Sequence, residues 1–137
     1  MPVYLLVGVA LIAHGIGHVL GLMPIVGWAP AAGWTSESWL LTGPLGASVA
    51  NLVAAALWLV PLVGFTLVGL GVLGIAVPAA WVRPLAVVAA VVSIVAIALF
   101  WQAFPTMTAK VGAIVVDVLV LWAVFATDWA ASDAIAG

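Results

Sequence analysis

Long stretches without a charged side chain are the feature that most constrains this chain. Residues 3–36 and 38–82 contain no Asp, Glu, Lys or Arg. Over all 137 residues, hydrophobic side chains make up 69% and charged side chains 4%. A soluble domain is about half apolar and roughly a quarter charged, and a surface this poor in charge would aggregate in water. The sequence therefore predicts that lipid surrounds most of the protein.

The apolar stretches predict an all-α integral membrane bundle of four transmembrane helices in a single domain, residues 1–137. The predicted helices are residues 3–22, 45–77, 85–104 and 110–129. About twenty residues suffice to cross a hydrocarbon core of about 30 Å. Residues 45–77 are too long for one straight span, so we expect a helix kinked at Pro61. The alternative is a break at Pro61, which gives five helices.

Residues 23–43 form the one long connection, and tryptophans mark it as interfacial. Trp28, Trp34 and Trp39 lie in it, and tryptophan prefers the headgroup layer. We expect this loop to lie on the membrane surface, with a short helix starting at Ser36. Most tryptophans in the chain fall near predicted helix ends and are interpreted as anchors, although Trp58 and Trp101 can flank a pocket.

Charge and cysteine content exclude several functions. Arg83 and Lys110 are the only basic residues, so the chain lacks the basic footprint that nucleic acids and acidic headgroups require. No cysteine is present, which excludes disulfides, iron–sulfur clusters and thiolate zinc sites. We expect a multi-pass protein of the cell membrane. Arg83 lies on the same side of the membrane as the amino terminus, and the excess of basic residues on the cytoplasmic side then places both termini in the cytoplasm.

Four of the polar residues in the predicted spans, one pair and two single residues, lie at similar depth. His14 and His18 share one face of the first helix, because they are four residues apart. Asn51 lies near the start of the second helix, and Asp117 lies roughly 10 Å inside the fourth. Polar groups in lipid face inward and find one another, since isolation there is costly. We therefore predict that His14, His18, Asn51 and Asp117 form one ligand-binding or proton-handling site on the side of the Trp-rich loop.

Asp117 has three possible states in such a site. Its carboxyl is protonated, paired with a histidine, or open to a water-filled cavity. A metal site built from His14, His18 and Asp117 is a further possibility, because two histidines four apart can hold one metal. Gly15 stands where a zinc protease helix carries its glutamate, which disfavours that enzyme class. One histidine bound to a tetrapyrrole remains open.

Short motifs also suggest relatives and helix packing. Gly17 with Gly21, and Ala13 with Gly17, are small residues at a spacing that lets another helix come close. The His14-Gly15-x-x-His18-x-x-Gly21 stretch, Trp58-Leu59, Ser93 with Phe100-Trp101, and Gly112 with Asp117 resemble a set of uncharacterised small bacterial four-span membrane proteins. That resemblance implies four spans and transfers no activity.

Three functions, and one purely structural interpretation, fit these residues. The first function is a membrane protein that binds a small apolar ligand, a proton or a metal-bearing cofactor. The second is a structural subunit of a larger membrane assembly or a homo-oligomer. The third is a small membrane enzyme that uses Asp117 and a histidine as acid and base. In the structural interpretation a histidine–aspartate hydrogen bond simply joins the first and fourth helices.

Overall fold

The structure is a computed structural model that describes residues 2–28 and 33–127. These residues are helical without any strand, and four of the helices are long and apolar enough to cross a membrane. The four-helix membrane bundle is therefore confirmed. The elements in chain order are α1 (Val3–Gly17), α2 (Val19–Leu22), a 3₁₀ turn (Met23–Val26), α3 (Thr42–Leu45), α4 (Ala47–Val72), α5 (Ala79–Leu99), a 3₁₀ turn (Trp101–Ala103) and α6 (Met107–Ala126).

The first span is longer than expected because the helical turns continue past Leu22. The span comprises α1, α2 and the following 3₁₀ turn, Val3–Val26. It ends at Gly27, whose φ of 76° is left-handed and available to glycine at little cost. His14 consequently lies near the middle of the span, rather than in the half next to the Trp-rich loop.

The second and third spans differ from the prediction at their ends. α4 is one continuous helix through Pro61, so the chain does not adopt the five-helix alternative. It ends at Val72, five residues before the predicted end, and Gly74 follows with a φ of 70°. α5 begins at Ala79, directly after Pro78 in extended geometry. A proline in this position suits a helix start, because it needs no backbone donor there.

The fourth span begins three residues earlier than predicted. Thr106 caps α6 by accepting a hydrogen bond from the Ala109 N–H at 3.2 Å. α6 ends at Ala126, and the predicted end at residue 129 lies outside the described residues. The earlier start places Asp117 near mid-span.

Glycines let α4 pack closely on the helices beside it. A Cβ added at Gly69 would lie 2.6 Å from the Gly8 carbonyl oxygen, and one at Gly15 would lie 2.9 Å from the Thr66 nitrogen. On the other side of α4, a Cβ at Gly64 would lie 2.7 Å from that of Ala89 in α5. Backbone atoms this close leave no room for any side chain.

The predicted role of Gly17 in this packing is wrong. A Cβ at Gly17 would meet nothing within 4 Å, whereas one at Gly21 would lie 2.7 Å from the Trp58 ring. The close helix contacts of the first span use Gly8 and Gly15 instead. Gly17 points away from α4 and borders a cavity.

The loop before α3 folds onto the end of α5. The Ser38 hydroxyl donates to the Leu99 carbonyl at 2.6 Å, and the Trp39 indole N–H donates to the Ala98 carbonyl at 2.7 Å. These carbonyls belong to the last turn of α5 and lack helical partners. The short helix of this loop begins at Thr42 rather than near Ser36, since Ser38 directs the preceding turn by accepting from the Leu41 N–H at 3.1 Å.

A cleft separates the first span from the fourth. The extensive helix contacts are α1 with α4, α4 with α5, and α5 with α6, so the four spans form an arc. Two cavities lie along the cleft between the arc's ends. One has a volume of about 290 Å³ and includes His14 and His18 in its wall, and the other, of about 410 Å³, is lined by aliphatic side chains and Thr127.

Candidate functional site

A hydrogen bond between the first and fourth spans crosses this cleft. His14 Nε2 lies 3.0 Å from Asp117 Oδ1. The carboxyl side chain is fully buried, and the imidazole is 13% exposed. Of the three states that the sequence left open for Asp117, the structure has the one in which it pairs with a histidine. Its role in binding a ligand or a proton stays a prediction.

Ser93 of α5 extends the hydrogen bond into a network. Its hydroxyl oxygen lies 2.6 Å from Asp117 Oδ2 and 2.9 Å from His18 Nε2. Ser93 is completely buried, and His18 is 7% exposed. The network thus joins three spans, and four side chains share it: His14, His18, Ser93 and Asp117.

The other nitrogen of His18 is held by the helix from which it projects. The His18 backbone N–H donates to the Gly15 carbonyl at 3.0 Å, a tight turn in place of the usual bond to residue 14. The imidazole Nδ1 lies 3.0 Å from the His14 carbonyl oxygen and 3.3 Å from that of Gly15. Because a carbonyl only accepts, Nδ1 must carry a hydrogen.

Counting hydrogens gives the lowest protonation state that satisfies every contact of the network. Its contacts are His14 to Asp117, Asp117 to Ser93, Ser93 to His18, and His18 to the backbone, and each of these four needs one hydrogen. Two neutral histidines and the serine supply three. The fourth balances the negative charge of the carboxylate and lies on the line Asp117–Ser93–His18. With these four hydrogens the network is neutral as a whole, and one of its protons is shareable.

His14 is the member of the network that faces the cavity. Its Nε2 hydrogen is committed to Asp117, and within residues 2–28 and 33–127 its Nδ1 has no hydrogen-bond partner. No buried side-chain nitrogen or oxygen in this part of the chain lacks a partner, so Nδ1 is not sealed in protein. His14 lines the 290 Å³ cavity, and its Nδ1 is the ring atom left for a bound molecule.

Aromatic rings form the rest of the site's walls. Phe65 packs edge-on against His14, with ring centroids 4.7 Å apart, and stacks on His18 at 5.9 Å. Trp58 lies 6.0 Å from His18 and 5.6 Å from Phe104. The cavity is lined by Ala13, His14, Gly17, His18, Leu20, Gly21, Trp34, Trp58, Ile97, Phe104, Ala109 and Ala113. Apart from the two histidines and the two indole N–H groups, these side chains are apolar.

Asn51 lies away from this network. It is half-buried near the start of α4, whereas the α4 residues that contact the histidines are Trp58 and Phe65. Trp58 is about two turns further along the helix and Phe65 about four, or roughly 10 and 20 Å. Among the described residues, the Asn51 amide makes no hydrogen bond with the histidines or Asp117. The structure therefore brings together three of the four predicted residues.

Of the two tryptophans predicted to flank a pocket, one lines the cavity and the other does not. Trp58 is in the cavity wall and 2% exposed. Trp101 lies outside the cavity, where the Lys110 ammonium is 4.9 Å from its ring centroid. Trp34, which the sequence placed on the surface, packs on Phe104 at 4.9 Å and closes the cavity on the loop side.

The arrangement differs from a catalytic serine triad, although it contains Ser, His and Asp. In such a triad the carboxylate orients the histidine that activates the serine. Here Asp117 contacts Ser93 itself, and backbone carbonyls hold the far side of His18. Ser93 is fully buried, so no substrate carbonyl can reach it. Asp117 is equally inaccessible, and only His14 offers an acid–base atom to a bound molecule.

Metal binding by several of these residues would disrupt the network. Within the described ranges, no group of three His, Asp or Glu side chains is arranged to hold a metal ion. Both ring nitrogens of His18 and both oxygens of Asp117 already have partners. His14 Nδ1 is the atom left for a single bond to a metal-bearing cofactor, and a carboxylate behind the imidazole is common in such ligands.

Comparisons with protein-family models, with curated proteins and with solved structures find no significant match for this chain.

Proposed function

We propose that this chain is a membrane protein that binds a small, mostly apolar ligand within the bilayer and keeps an exchangeable proton beside it. One observation carries the proposal: His14, backed by Asp117, lines an apolar cavity between the first and fourth spans, and its Nδ1 has no hydrogen-bond partner among the described residues. Ligand pockets typically combine apolar walls with a few placed polar groups. A volume of about 290 Å³ is at the low end of about 300–1,000 Å³ for such pockets, which favours a small molecule over a tetrapyrrole.

A pair of glycine variants tests ligand binding. Gly17 borders the cavity and Gly112 lies on the exposed face of α6, and a Cβ at either position would meet nothing within 4 Å. Gly17→Leu fills the cavity without a backbone clash, and Gly112→Leu adds the same side chain towards lipid. The probe is radiolabelled n-octanol, added to each protein in lipid nanodiscs.

Partition into lipid is not saturable, so the saturable component of octanol uptake measures the site. We expect stoichiometric saturable uptake by the wild type and by Gly112→Leu, and its loss in Gly17→Leu. Absence of a saturable component in the wild type, or the same component in all three proteins, contradicts the proposed function. A visible absorption band in the purified protein would instead support the tetrapyrrole form.

The location we propose is the cell membrane, with both termini in the cytoplasm. An even number of spans brings the two ends to one side, and Arg83 at the start of α5 lies on that side. The end of the cavity that Trp34 lines then belongs to the outer half. Cysteines introduced at the N-terminus and in the loop before α3, and labelled from outside intact cells, test this: only the loop cysteine reacts.

A second candidate is assembly with a partner subunit or with a second copy. The fourth span supports it, because 17% of that span is buried inside the protein, compared with 39% of α4 and of α5. Its outward residues include Leu119, Trp122 and Phe125, each more than half exposed. Sizing after extraction in mild detergent tests this candidate: a complex larger than one chain supports assembly, and a stable monomer opposes it.

A further inference from the structure

The atom that His14 offers to the cavity determines what kind of head group a ligand needs. Its Nε2 hydrogen is directed at Asp117 Oδ1, 3.0 Å away. In the neutral network Nδ1 therefore carries no hydrogen and acts as an acceptor. A ligand completes this group by donating a hydrogen bond, as an alcohol or phenol O–H does. An ether or ketone, which only accepts, leaves Nδ1 without a partner.

The charge balance of the network determines which charges a ligand can carry. The fourth hydrogen already balances the charge of the carboxylate, and no ionisable side chain other than His14 and His18 lines the cavity. A carboxylate or an ammonium ion placed there would find no counter-charge among the described residues. Burying an unpaired charge at mid-span costs several kcal/mol, so charged amphiphiles are selected against.

The remaining surface suits a hydrocarbon chain. The cavity is also lined by Trp34, Trp58, Ile97 and Phe104, and by Leu20 of the first span and Ala113 of the fourth. These side chains attract apolar surface and offer few polar partners. A molecule whose polar end reaches Nδ1 must place the rest of its length against them.

Together these three features define a ligand class. We infer that the cavity selects neutral amphiphiles with one hydrogen-bond-donating head group, such as long-chain alcohols or alkylphenols, and that His14 Nδ1 accepts the bond. This inference rests on the proposed function and narrows it. It specifies the head group, whereas the proposed function requires only that the cavity be occupied.

Competition within one octyl series tests the inference. Octanol, methyl octyl ether, octanoate and octylamine are added at about pH 8, where the acid and the amine are charged, to nanodiscs loaded with radiolabelled octanol. Octanol is expected to compete roughly 3- to 10-fold better than the ether, corresponding to one hydrogen bond. The two ions are expected to compete at least about 50-fold less well than octanol.

The chain has two histidines, so ring-¹⁵N labelling gives a direct second measurement. Octanol should move the resonance of the unprotonated His14 Nδ1 in the wild type, and the ether should not. In Gly17→Leu, adding octanol should not move this resonance. Equal competition by octanol and its ether, or octanoate competing as well as octanol, overturns the inference. In either case saturable octanol uptake would still stand, so failure of the inference is distinguishable from failure of the proposed function.

Discussion

The two sides of the first span are joined to the bundle in different ways. Towards α4 the contact is made by glycines, with the Gly69 Cβ position 2.6 Å from the Gly8 carbonyl oxygen. Towards α6 the contact is a cleft with two cavities, crossed by the bond between His14 and Asp117. Close backbone packing joins the first span to α4, and a hydrogen bond joins it to α6.

This difference indicates where the protein can admit another molecule. Van der Waals contact between close backbones is lost entirely if the helices separate. A hydrogen bond between spans contributes only about 0.6 kcal/mol on average and tolerates space beside it. The glycine side therefore supplies rigidity, while the cleft side can accept a ligand without loss of the fold. The predictions below test the two sides separately.

The largest effect is expected at the glycine side. Gly69→Val should lower the free energy of unfolding by about 3 kcal/mol, because its side chain overlaps the Gly8 carbonyl and the Ile12 backbone nitrogen of α1. Reversible unfolding in mixed micelles measures the change. Gly112→Val is the matched control, expected to stay within about 0.5 kcal/mol of the wild type at a position open to lipid. Equal losses in the two variants would refute the close approach of α1 and α4.

Removing the polar centre of the cleft should cost less. Asp117→Leu deletes both acceptors, which leaves His14 Nε2 without a partner and Ser93 Oγ with His18 Nε2 as its remaining one. We expect a loss of about 2 kcal/mol in the free energy of unfolding. An unsatisfied buried polar group costs about 1–3 kcal/mol, and rearrangement of the surrounding side chains lowers this cost. The same micelle assay measures it. A variant as stable as the wild type would mean that the fully buried carboxyl is not hydrogen-bonded as described.

Ser93 should contribute a smaller amount. Ser93→Ala removes the oxygen that links Asp117 Oδ2 with His18 Nε2, and a loss of about 1 kcal/mol is expected. Thr66→Val is the control, because the Thr66 hydroxyl donates to the Leu62 carbonyl of its own helix at 2.7 Å and joins no spans. If both variants lose the same amount, Ser93 does not act as a bridge between α5 and α6.

The sequence predicted the spans, and it gave pairing with His14 or His18 as one of three possible states of Asp117, for clear physical reasons. Apolar length determines whether a helix can cross a bilayer, and an ionisable group in each of two spans requires a partner. Ser93 appeared only within a weak motif, since a hydroxyl can bond its own helix and needs no partner elsewhere. Asn51 was placed at the depth of the histidines because the predicted spans were too short at residues 23–26 and 107–109. Because the depth of a residue in the membrane was counted from the predicted end of its helix, an error in that end shifts the estimated depth.

Asp117→Asn is expected to have the smallest effect on stability, and it tests the proton shared by Asp117, Ser93 and His18. In Asp117→Asn the amide oxygen accepts from His14 Nε2, and the amide N–H donates to Ser93 Oγ, whose own hydrogen goes to His18 Nε2. All four contacts keep their hydrogens, so the free energy of unfolding should change by less than about 0.5 kcal/mol. The shareable proton, however, is gone.

Proton uptake by the purified protein therefore separates a purely structural network from one that handles protons. We expect the wild type to show a carboxyl C=O band in infrared difference spectra when the network exchanges its proton, and Asp117→Asn to lack that band at unchanged stability. If Asp117→Asn loses the band but binds octanol as the wild type does, the proton has only a structural role. Loss of octanol affinity along with the band would couple the proton to ligand binding, because both act on the same imidazole of His14.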